Sequence, residues 1–148
     1  MKRNEADKIL NALVGLPLAA ARKIDPFELY EFLFGDLHMY QITDENGKST
    51  KKVQFTYCLH VLCNISICNV LLDGWSSNSE LQQSIQAILG KKVKQVALTE
   101  QNILCIYFAC GEMIVHPVSS GDEAWRFFSS NQSLPHLVAY SDTIALES

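Results

Sequence analysis

The chain has 148 residues, 48% hydrophobic and 19% charged, with a net charge of −4 and a sequence pI of about 5.5. That is the composition of one globular domain, given that domains run to about 150 residues, and it excludes a disordered chain. The mild acidity argues against a nucleic-acid binder, which needs a basic stripe to neutralise phosphates.

Asn4 to Val14 reads as a first helix. Asn4 stands as its cap, Glu5 and Asp7 suit the positive end of the dipole, and Ile9, Leu10, Leu13 and Val14 share one face. Gly15 and Pro17 stop it. The apolar run from Ile9 to Ala21 after Lys2 and Arg3 has the outline of a secretory signal. Glu5, Asp7, Asn11 and Gly15-Leu16-Pro17 break that outline, and the run is too short to span a bilayer, so a folded helix followed by a strand is preferred. Leu18 to Ile24 and Phe27 to Phe34 read as short extended runs around Asp25-Pro26, with a helical turn as the alternative for the second. Gly35 to Ile42 and Lys52 to Val61 flank Asn46-Gly47, the strongest short-range signal for a hairpin with a type I′ turn.

The second arm of that hairpin runs on to about Leu72, and Asp73-Gly74 marks a turn. Ser77 to Leu89 is the clearest helix. Ser77 and Glu80 form a capping box, Leu81, Ile85, Ile88 and Leu89 form a buried stripe, and Gly90 ends it. Val93 to Leu98, Ile103 to Phe108 and Met113 to Val118 read as a meander, followed by a short helical turn over about 122–128 and an extended region from Leu137 to Leu146. The expected fold is α+β: one domain over 1–148, a mostly antiparallel sheet, an N-terminal helix, a central amphipathic helix over about 77–89 and the turn at 122–128.

The stretch Thr56 to Cys68, TYCLHVLCNISIC, holds three of five cysteines. Five is an odd number, so complete internal pairing is impossible and reduced thiols in a cytosol are expected. As a strand, the stretch puts Tyr57, Leu59, Val61, Cys63, Ile65 and Ile67 on a core face, with Cys58 and His60 on the other. A Cys–His site there would need a partner such as His116 or His38. No C-x₂₋₄-C knuckle, nucleophile elbow, P-loop or dinucleotide fingerprint is present, so no metal, cofactor or catalytic residue is expected. The run Ser119-Ser120-Gly121-Asp122-Glu123 after His116 carries hydroxyl, imidazole and carboxylate groups but no base geometry. Trp125 and Phe128 are expected on one face of the helical turn, buried against the sheet, with a binding anchor as the alternative.

The fragments GLPL (15–18), FLFGD (32–36), YCLHVLC (57–63), LGKKVKQVAL (89–98), LCIYFACGEMIVHPVSSGDEAWRFF (104–128) and LPHLVAY (134–140) stand in an order that resembles a family of small bacterial α+β proteins. The residues that carry the resemblance are Gly35, Leu59, His60, Glu123, Trp125, Arg126 and His136. Cys63-Asn64-Ile65-Ser66 stands where that family often has a Cys-Pro-Trp-Arg-like run. Such proteins are similar to the immunity proteins encoded beside bacterial toxins. That likeness, together with the mild acidity and the lack of a catalytic or metal constellation, leads to the expectation of a cytoplasmic, non-catalytic domain that binds and occludes a cognate toxin. The charge and the short apolar runs lead to the expectation of no nucleic-acid and no membrane partner. Asp36, Asp44, Glu45, Asp122 and Glu123 are the candidate contact acids. The alternative is a small-molecule-binding or enzymatic domain built on Cys58, His60, His116 and Arg126, and a homodimer through a free strand edge is a further expectation.

Overall fold

The computed structural model describes residues 1–25, 27–118 and 120–148. Among these, strands dominate and helices are few. The N-terminal helix α1 spans Arg3–Leu10, followed by a 3₁₀ turn at Asn11–Leu13. Lys2 is its N-cap and makes no side-chain cap bond, so Asn4 lies inside the first turn and does not cap it. Ala6, Leu10 and Leu13 enter the core, while Val14 is exposed and Gly15, at φ +89°, turns the chain.

A six-stranded antiparallel sheet has the order β1-β2-β5-β11-β12-β13, built from Leu18–Ile24, Leu29–Phe34, Tyr57–Val61, Trp125–Ser129, His136–Ala139 and Ile144–Glu147. A five-stranded antiparallel sheet has the order β7-β6-β10-β9-β8, built from Val70–Leu72, Asn64–Ile67, Gly111–His116, Leu104–Phe108 and Val93–Leu98. Both sheets contribute to one hydrophobic core: Phe32, Phe34, Leu59, Val61, Trp125 and Leu137 from the first, Ile65, Ile67, Leu104, Ile106, Met113 and Val115 from the second. The meander expected over Val93–Val118 is β8, β9 and β10.

The stretch TYCLHVLCNISIC is not one strand. It breaks at Leu62-Cys63, so that β5 belongs to one sheet and β6 to the other. Leu62 is exposed, and its backbone N–H donates to the Ala124 carbonyl (2.8 Å) and not to a continuing ladder. The alternation survives the break: Leu59, Val61, Ile65 and Ile67 are all buried, and Tyr57 and Cys63 pack against the core. The type I′ signature is also displaced. Cys68 (φ 49°) and Asn69 (φ 70°) form the two-residue, both-positive loop that joins β6 to β7. At Asn46-Gly47 only Gly47 has positive φ. There the Gly47 N–H donates to the Asp44 carbonyl, and Asp44 Oδ1 accepts from the N–H groups of Asn46 and Lys48, so the carboxylate organises a longer loop.

The helix expected over 77–89 is shorter. α2 spans Asn78–Ser84, with Ser77 Oγ accepting from the Glu80 N–H (3.1 Å) as its cap. Leu81, Ile85 and Ile88 are buried, but the last two sit in turns beyond the helix and Leu89 is exposed. The helical turn expected over 122–128 is absent, because Trp125–Ser129 pairs on both sides, with β5 and with β12. In a strand, Trp125 and Phe128 point to opposite faces. Trp125 is fully buried and Phe128 faces outward. The fold is therefore mainly β, with the α part reduced to two short helices. Pro26 and Ser119, which fall in two of the readings above, lie outside the described residues.

One element stands clear of the sheets. Among the described residues, β3 (His38–Thr43) and β4 (Ser49–Gln54) pair only with each other, and every residue of β3 is exposed.

Candidate functional site

The outer face of the six-stranded sheet carries a row of paired charges and two of the four imidazoles. Cross-strand register sets the row: Arg22 on β1 faces Glu31 on β2, Glu31 faces His60 on β5, and His60 faces Arg126 on β11. Arg22 Nε donates to Glu31 Oε1 (2.8 Å), and Glu31 Oε2 lies 3.0 Å from His60 Nε2. The His60 contact first, and Arg22 after it, hold the Glu31 carboxyl below the usual carboxylate range against the opposing effect of burial. Arg126 is clamped by Glu123 through two bonds (3.2 and 2.7 Å) and lies 2.9 Å from His136 Nδ1. Glu123 raises the Arg126 pKa further. Burial, Arg126 and His60 push His136 down, so its ring is held neutral, with Nδ1 free to accept from the guanidinium.

Phe128 joins the two halves of this row. His60 meets its ring edge-on at 5.0 Å, His136 stacks on it at 4.5 Å, and Phe55 approaches at 6.2 Å. Cys58 lies beside His60 on the same face and is buried without belonging to the core cluster. Burial first, and then the Glu31 charge, push its thiol strongly up. A thiol held protonated in this way is a poor nucleophile.

The β3–β4 hairpin makes a second wall. Directly paired residues share a face, so Tyr40 and Lys52, Ile42 and Thr50, and His38 and Gln54 lie on one side of it. Between that side and the sheet is a cleft of about 910 Å³, lined by Tyr40, Ile42, Lys52, Phe55, Phe128 and His136 among others. A smaller pocket of about 340 Å³ lies beyond Phe55, bordered by Arg22, Glu31 and Leu33.

The residues singled out in the sequence separate into two groups. Gly35, Leu59 and Trp125 serve the fold: Gly35 packs against Thr56, Leu59 is fully buried, and Trp125 Nε1 donates to the Asn102 carbonyl at 3.0 Å. His60, Glu123, Arg126 and His136 converge on the outer face just described. Of the alternative quartet, Cys58, His60 and Arg126 share that face. His116 does not join them, because it sits on β10 in the other sheet and bonds Ser66 (3.0 Å). His38 is on the hairpin. Of the acids, Asp44 and Glu45 lie at the hairpin tip and Asp36 at its base, all exposed; Asp122 is exposed, and Glu123 is taken by Arg126.

Sequence reasoning missed Glu31, which was read only as part of an extended run, and Phe128, which was assigned to the wrong face. The signal for Glu31 was available: it is the one acid in an otherwise apolar strand, LYEFLF, at an outward position of the alternation. No family model, curated protein or solved structure matches the chain.

Proposed function

We propose that this chain is a non-catalytic protein-binding domain, in its most concrete form an immunity-type protein that occludes a cognate bacterial toxin. The observation that carries the reading is the β3–β4 hairpin. It is exposed along its whole first strand, including Met39 (68% exposed), Tyr40 and Ile42, and its inner side walls a cleft against the sheet. Apolar side chains on a two-stranded ribbon that contributes none of the described core residues have no folding role there. Tyr40 and Phe128 supply aromatic anchors, and Asp36, Asp44, Glu45 and Lys51 supply a charged rim, which is the anatomy of a protein interface.

The charged groups of the sheet face support binding over catalysis. Glu31 and Glu123 are saturated by partners, and the Cys58 thiol is held protonated. A cytoplasmic location is part of the proposal, supported by five cysteines that are all free. No helix among the described residues is long and apolar enough to cross a membrane.

The second reading, a small-molecule site, is favoured by the cleft volume of about 910 Å³ and its aromatic lining. Co-expression with the product of the adjacent gene separates the two. Restored growth of a poisoned host, and its loss in Tyr40→Glu/Ile42→Glu, support the protein-binding reading. No protection and no complex would overturn it.

A further inference from the structure

Cys58 and His60 stand two residues apart on β5 and so share the outer face, and Glu31 lies directly across from His60 on β2. One ligating atom from each, the Cys58 sulfur, a His60 ring nitrogen and a Glu31 oxygen, lie within 4.8 Å of one another. We propose that Glu31, Cys58 and His60 form a binding site for a zinc-class divalent metal ion.

The donor set selects the metal. A thiolate and an imidazole favour Zn²⁺ or Co²⁺ over Mg²⁺ and Ca²⁺, which need shells of oxygen. The spacing fits as well. Bond lengths of roughly 2.0–2.3 Å in a tetrahedron put neighbouring ligands about 3.3–3.6 Å apart, close to the 3.0 Å between Glu31 Oε2 and His60 Nε2. The ion takes the place of the proton between those two atoms.

The surroundings suit the change. Glu31 uses Oε1 for Arg22, which keeps the carboxylate in place, and the one partner of Oε2 is His60 Nε2, the atom that would ligate beside it. His60 is braced edge-on against Phe128 at 5.0 Å. All three ligands sit on paired strands and not on loops, so little chain entropy is lost on binding. The pocket of about 340 Å³ borders Glu31, so that ligand is reached from solvent. On binding, the Cys58 proton leaves to solvent, the proton between His60 Nε2 and Glu31 is exchanged through water so that the neutral ring carries its single proton on Nδ1, and the thiolate and carboxylate together neutralise the dication.

This inference does not depend on the partner reading. Its test is a cobalt titration of the metal-stripped, fully reduced chain, followed by displacement with zinc. One equivalent should bind, with a sulfur-to-cobalt charge-transfer band and the intense visible bands of tetrahedral cobalt, and zinc should remove both. Cys58→Ser should abolish the charge-transfer band. His60→Gln and Glu31→Gln should weaken binding by more than the ~10–100-fold that loss of an outer partner costs. Absence of the band in the parent chain overturns the proposal. So does an undiminished band in Cys58→Ser, which would assign it to one of the other four cysteines. If Cys58→Ser fails to fold, His60→Gln decides, because its side chain is part-buried on the outer face and outside the core cluster, and unchanged cobalt affinity in it overturns the site.

Discussion

Gly35 has φ +98°, and a Cβ built on it would lie 2.1 Å from Thr56 Oγ1 and 2.6 Å from Thr56 Cβ. Both the backbone angle and the space exclude a side chain. Gly35→Ala should therefore destabilise the chain by about 2 kcal/mol or more in denaturant unfolding. Asn102 plays a comparable part from the β8–β9 loop. It is fully buried at φ 61°, and its Nδ2 donates to the carbonyls of Tyr140 and Thr143 (2.8 Å each). Its Oδ1 accepts from Arg3 (2.7 Å), and its carbonyl accepts from Trp125. Asn102→Ala should cost about 2–4 kcal/mol, since it removes three part-buried hydrogen bonds and holds an alanine at φ 61°. In sequence it is only the last letter of TEQN, a turn. Short polar loops carry no mark that distinguishes a solvated asparagine from one that ties two sheets together. Gly35, by contrast, was singled out by resemblance, and the structure supplies its reason.

At the scale of elements, the apolar stripes and alternations were legible, and the points where a strand changes sheet were not. Leu59, Val61, Ile65 and Ile67 were assigned inward and are inward. The break at Leu62-Cys63 was missed because the run contains neither Gly nor Pro. The turn at Cys68-Asn69 was missed for the same reason: neither residue is a glycine, and the nearby Asn46-Gly47 pair carries the stronger signal. Asn69→Val should cost about 1–2 kcal/mol, because a β-branched residue is strained at φ 70°, while Asn69→Gly should be close to neutral. The 122–128 segment reads as a helical turn started at Ser120 or Gly121, yet pairing with two neighbouring strands outweighs that local signal. The β3–β4 hairpin was legible as a hairpin, though not as one detached from both sheets. Replacing His38–Gln54 by a short Gly-Ser link should leave the free energy of unfolding within about 1 kcal/mol of the parent, since none of the described core residues lies in it.

For the whole molecule, the outer face makes stability depend on pH. His136 is held neutral by burial, by Arg126 and by His60, so its folded pKa lies below the unfolded value; Glu123 pulls the other way, less strongly. Its contribution is complete above the unfolded value of ~6.5 and is lost as pH falls toward the folded one, where the unfolded chain binds the proton more readily. Glu31 adds a second loss at lower pH, below its own ordinary range. Denaturant unfolding should show stability declining from pH 7.5 to 5.5, and His136→Gln should flatten that part of the curve. The convergence of His60, Glu123, Arg126 and His136 on one face was not legible from the sequence, because it depends on strand order, and the sequence gives local pairing more readily than the neighbours of β5 and β11.

The central claim is that this domain acts by binding a protein through the hairpin and the cleft behind it. The most direct measurement is the affinity of purified chain for the purified product of the adjacent gene, with the parent and with Tyr40→Glu/Ile42→Glu side by side. The account predicts a one-to-one complex with the parent and at least a hundredfold weaker binding by the variant, equivalent to about 2.7 kcal/mol. Equal affinity of the two for that partner, or no complex with either, would contradict it.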